Sequence, residues 1–73
     1  MEKLLNDYFT YKLENYRVRL KDDRQALIAA TYALDDIKTT IRQQLEIYKD
    51  TDVVLELLRQ EVEDAKNALP KGE

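Results

Sequence analysis

The sequence predicts an all-α protein: a helical hairpin with a long first helix over about 3–49 and a short second helix over about 52–68, associated as a dimeric coiled coil or four-helix bundle. Three observations carry this expectation. An apolar residue recurs at every seventh position along nearly the whole chain, the one glycine and one proline both fall in the last four residues, and charged residues make up 37% of the chain beside 44% hydrophobic ones. That mixture is charged without being poor in leucine, isoleucine and valine, so it reads as helix rather than as disorder.

The repeat runs through Leu13, Leu20, Leu27, Leu34, Ile41, Tyr48, Leu55, Val62 and Leu69. Companion positions bring in Phe9, Tyr16, Ala30, Ile37, Leu58 and Ala65, with polar members at Asp23, Gln44 and Thr51. Apolar positions spaced this way lie along one stripe of a helix and form a packing seam. The expected core of a dimer or bundle is therefore Phe9, Leu13, Tyr16, Leu20, Leu27, Leu34, Ile37 and Ile41.

Two places bear on where the helices end. At Lys49-Asp50-Thr51-Asp52, three successive side chains can accept a hydrogen bond from the free amides that open a helix, which predicts a tight turn there. Near the C-terminus, Leu69-Pro70-Lys71-Gly72 should stop the second helix and leave 70–73 as a disordered tail, because proline disfavours helical geometry in the residue before it. A second boundary is arguable at Lys21-Asp22-Asp23, where Asp22 followed by Gln25 resembles a capping box. No residue there favours a left-handed turn and the repeat keeps its phase, so one continuous helix is the main expectation and a three-helix bundle the alternative.

Two features concern packing. Ala26, Ala29, Ala30 and Ala33 either let two helix axes approach closely or serve simply as strong helix formers. Near the N-terminus, Leu4, Tyr8, Tyr11 and Val18 form a second stripe away from Phe9 and Leu13, and a helix apolar on two sides needs cover on two sides. This stripe is the candidate partner-binding face, since tyrosine is favoured at interfaces.

Composition narrows the chemistry. Without cysteine, histidine or serine, a disulfide, a thiolate metal site and the usual nucleophile–base arrangements are excluded. A phosphate-binding glycine loop is excluded as well, because the only glycine is Gly72. Asp35-Asp36 and the group Glu61, Glu63, Asp64 lack a glycine-bearing calcium loop and read as solvated helix surface. No enzyme activity, no cofactor and no small-molecule substrate is expected. The longest uncharged run, Gln25 to Leu34, is too short to cross a bilayer, and Asn6-Asp7 interrupt any signal-peptide core, so a cytoplasmic protein without membrane contact is expected.

The net charge is −3, and residues 50–73 carry seven acidic side chains against three basic ones. The best candidates for phosphate contacts are Arg17, Lys21 and Arg24, on one helix face if the helix is continuous. They stand beside Asp22, Asp23 and Glu14, so ion pairing within the protein accounts for them more simply than nucleic-acid binding.

Leu4-Leu5-Asn6-Asp7-Tyr8 followed by Tyr11-Lys12-Leu13-Glu14 resembles the first helix of small transcription activators encoded by phages of Gram-positive bacteria. The resemblance implies a small helical phage or prophage accessory protein. Those activators end in a helix-turn-helix segment, which has no counterpart here, so no DNA-binding residue is carried over. A second helix of some 25 Å would leave much of a first helix of about 70 Å uncovered. The expected function is therefore a protein–protein interaction module, a small homodimeric modulator or inhibitor of a larger protein. A nucleic-acid-binding regulator and a structural coiled-coil element are the alternatives.

Overall fold

A computed structural model describes residues 1–69 and shows an all-helical chain: α1 (Glu2–Leu20), α2 (Asp23–Tyr48) and α3 (Thr51–Asn67). The expected disordered tail over 70–73, with Pro70 and Gly72, lies outside the described residues. The short last helix falls within a residue of its expected bounds. The long first helix does not exist as one piece; it breaks at Lys21-Asp22, and the three-helix alternative is the one realised.

The reason lies in two matching joints. Lys21 ends α1 at φ 54°, ψ 34°, and Lys49 ends α2 at φ 53°, ψ 31°. In each, the lysine's amide still donates back four residues, to the Arg17 and Leu45 carbonyls, before the chain turns away. The next residue is an extended aspartate that caps the following helix. Asp22 Oδ1 accepts from the Gln25 amide at 3.1 Å, and Asp50 Oδ1 accepts from the Asp52 amide at 3.0 Å. Reversal thus takes two residues, a left-handed lysine and an extended aspartate, at the same phase of the seven-residue repeat. Continuity of the repeat across Leu20 and Leu27 therefore says nothing about continuity of the helix.

At about 1.5 Å per residue, the 26 residues of α2 span some 39 Å, which is the 40 Å long axis of the molecule. The shorter α1 and α3, of 19 and 17 residues, flank it. Each joint reverses direction, so α1 and α3 both run against α2 and parallel to one another. The core gathers Tyr8 of α1, Ile37 and Ile41 of α2, and Val54, Leu58, Val62 and Ala65 of α3. Val54 and Leu58 are its most completely enclosed large side chains. Ala26 and Ala30 are fully buried, so two of the four clustered alanines serve close approach of the helix backbones.

Two pairs of variants test the joints. Replacing Lys21 or Lys49 by glycine removes the Cβ strain of the left-handed conformation and should raise unfolding stability by about 0.5–1 kcal/mol each. Replacing Asp22 or Asp50 by alanine should lower it by about 1 kcal/mol each. Urea titrations followed by circular dichroism read both; Lys21→Gly destabilising the chain would argue against a joint at that residue.

Candidate functional site

The residues expected to bind a partner do not form a free surface. Leu4, Tyr8, Tyr11 and Val18 follow helical spacing, and the residue that completes their stripe is Asn15, missed because it is polar. The structure turns this stripe inward. Tyr8 and Asn15 are buried, at 7% and 6% exposure, while Leu4 and Tyr11 pack against the core. Only Val18 remains exposed, at the end of the stripe nearest the joint. The physical cause is the break at Lys21: once α1 folds back on α2, α1 needs an inward face, and the stripe bearing two tyrosines supplies it. Those tyrosines meet the chain's own α2 and α3, so the assignment of Leu4, Tyr8 and Tyr11 to an outside partner is corrected.

The expected core stripe is divided. Ile37 and Ile41 are buried and Leu34 packs against them. Phe9, Leu13 and Tyr16 are half-buried and stand outside that central cluster. Leu20 and Leu27 are exposed, at 48% and 51%, and so take no part in the core of the single chain. On α1, Leu13 lies about 160° around the helix from Asn15 at 100° per residue, which points the Phe9–Leu13–Tyr16–Leu20 stripe away from the center of the bundle.

Two regions of the described surface combine exposure with apolar character: Ile47, Tyr48, Val53 and Leu57 around the second joint, and a strip on the first half of α2 that forms a groove. Leu27, Ile28, Thr31 and Tyr32 line a shallow groove on the first half of α2. Ile28 is 44% and Tyr32 68% exposed. Their position follows from lengths: α3 is nine residues shorter than α2 and begins at the far end of it, so the opening turns of α2 have α1 for a neighbour and no helix on their outer side. Arg24 and Asp35 border this region one turn to either side, and both are exposed.

The basic residues around the first joint are differently occupied. The Arg17 guanidinium donates to Glu14 at 3.1 Å and to Asp23 at 3.1 Å, tying the end of α1 to the start of α2. Its pairing with Asp23 above all, and with Glu14, holds it still more firmly in the charged form. Lys21 is the left-handed residue of the joint. Arg24 forms no ion pair within the described residues, but Glu14, Asp22 and Asp23 stand among the four basic residues Arg17, Arg19, Lys21 and Arg24, so the segment carries a net charge of only +1, a weak footprint for phosphate binding. Among the described residues, no group of three or more acidic side chains is arranged to hold a metal ion, and no helix is long and apolar enough to cross a membrane.

Folding also shifts the titration of Tyr8 upward. Burial pushes its phenol above the ordinary tyrosine value of 10.0, with further upward contributions from the charges of Glu61, Tyr16 and Asp36. Lys12 stands between it and Tyr16, its Nζ 5.6 Å from the Tyr8 ring center and 6.0 Å from that of Tyr16, at the outer limit of a cation–π contact.

The chain matches no protein family, no curated protein and no solved structure to a significant degree.

The Tyr8 phenol has a measurable consequence. Its folded-state pKa is raised, so its contribution to stability is complete below pH 10.0 and is lost as pH rises from there through the folded value. Unfolding free energy should fall between pH 9 and 11 more steeply in the native chain than in Tyr8→Phe; parallel curves would contradict the placement of this side chain.

Proposed function

We propose that this chain is a non-enzymatic protein–protein interaction module that associates with a second copy through the first half of α2. The observation that carries this reading is the groove of Leu27, Ile28, Thr31 and Tyr32, apolar along its length and uncovered by α3. A chain of 73 residues buries a small core, and oligomerisation is a common way for so small a domain to gain stability. Leaving leucine, isoleucine and tyrosine in water on adjacent turns gives up stabilisation that association would recover, at roughly 25 cal/mol for each Å² of apolar surface removed from water.

Pairing α2 with α2 of a second copy gives a bundle in which the two long helices form the seam and the shorter helices lie outside. The groove that would carry this contact is lined by only four side chains, and contacts of small area are typically weak, so an exchanging dimer is the expected form. A module of this kind acts by presenting helix faces, either to modulate a larger protein or to bring two copies of a bound partner together. The acidic side chains of α3, Glu56, Glu61, Glu63 and Asp64, remain on the outside and keep that surface hydrated.

Analytical ultracentrifugation over micromolar to millimolar concentrations tests the reading. A shift from 8.6 kDa toward twice that mass is expected, together with its loss in Ile28→Asp at unchanged helical circular dichroism. A native chain that stays monomeric up to millimolar concentration would refute self-association.

A further inference from the structure

The geometry points to a defined register for this pairing: α2 packs antiparallel on α2 of a second copy, with the two-fold axis between Ala29 and Ala30, so that Arg24 of each copy meets Asp35 of the other. The inference rests on self-association through α2 and specifies how the two copies meet.

The groove residues and the two charges share one face of the helix. At 100° per residue, Arg24, Ile28, Thr31 and Asp35 fall within about 60° of one another, spaced by four, three and four residues, the spacing of a packing seam. Leu27 and Tyr32 flank that seam on either side. The order along it is positive, apolar, hydroxyl, negative. A closed two-fold contact must be self-complementary, because the same strip meets itself reversed. With the axis between Ala29 and Ala30, residue pairs are related by equal distance on either side of it. Ile28 then faces Thr31 and Arg24 faces Asp35, each pair occurring twice, while the Leu27 side chains of the two copies close one flank and the Tyr32 side chains the other. A parallel pairing in register would instead set Arg24 against Arg24 and Asp35 against Asp35, and like charges directly opposed are unfavourable.

The two charges are available for this role. Both side chains are exposed, and neither forms an ion pair within the chain among the described residues, whereas Arg17 and Arg59 do. One turn further out, Lys38 of one copy comes opposite Lys21, Asp22 and Asp23 of the other, a segment with a net charge of one negative unit. Between Arg24 and Asp35 the seam holds no like-charged pair; beyond it Lys38 comes level with Lys21, whose charge is offset by the adjoining Asp22 and Asp23. Placing opposite charges at the ends and apolar side chains in the middle lets the ion pairs select the register while the groove supplies the attraction.

A charge exchange measured by sedimentation equilibrium decides the matter. Arg24→Asp should weaken the native dimer by about tenfold or more, because both ends then oppose two acidic groups, and Asp35→Arg should do the same with two basic groups. The double variant Arg24→Asp with Asp35→Arg should return the dissociation constant to within about threefold of the native value. All three changes lie on an exposed face, and circular dichroism verifies that each chain remains helical. A native dimer indifferent to the single reversals, or a double variant as weak as either single one, overturns the register while leaving self-association in place. A native chain that never dimerises overturns both and assigns the groove to a different occupant.

Discussion

A chain of right-handed helix turns back on itself only where some residue leaves that conformation, and here the residue is lysine on both occasions. Lys21 and Lys49 adopt the left-handed geometry that glycine occupies at low cost, and each is held there by a hydrogen bond from its own amide to the preceding helix. Such a conformation costs an ordinary residue roughly 1–2 kcal/mol. It persists because the aspartate that follows caps the next helix and because the helices, once reversed, bury Tyr8, Ile37, Leu58 and their neighbours together. Local strain at two points is offset by nonlocal packing across the whole chain. Everything else in the architecture, including which faces are hidden, depends on those two reversals.

The inner face of α1 shows the consequence most clearly. Two apolar stripes run along this helix, one through Tyr8 and Tyr11 and one through Phe9, Leu13 and Tyr16. As a segment of one long helix, α1 would use the second stripe, in phase with Leu27 and Leu34, as its seam. Folded back on α2, it uses the first, and the tyrosines occupy the place where three helices meet. Tyr8 and Asn15 then carry polar atoms toward the core. No buried side-chain oxygen or nitrogen lacks a partner among the described residues, so these polar ends are served at the margin of the bundle, where water reaches them.

Unequal helix lengths shape the surface. Because α3 is shorter than α2 and starts from the end of α2 distant from the first joint, coverage is thorough around Ile37 and Ile41 and absent on the outer side of Leu27, Ile28 and Tyr32. Small side chains suit the inner side of the same turns: Ala26 and Ala30 lie fully buried there. The opening half of α2 is thus narrow and well packed toward its own chain and broad and apolar toward the outside. That asymmetry is the basis for reading the molecule as an interaction module.

All-helical character, the turn at Lys49-Asp50 and the extent of the last helix were legible from local signals: apolar spacing, aspartate caps and the absence of glycine and proline from the interior. Those are short-range properties, expressed by a segment whatever surrounds it. The capping pair Asp22 and Gln25 was equally legible, yet its weight against an unbroken repeat was not, because a repeat records which residues are apolar and is blind to whether the backbone between them continues. Whether Lys21 enters the left-handed region depends on the energy recovered when α1 meets α2 and α3, a sum over contacts between residues far apart in the chain. For the same reason the inward turn of Tyr8 and the outward position of Leu27 were decided only by the tertiary structure. The composition sets how much apolar surface exists, and the folded arrangement alone determines which part of it is left facing water.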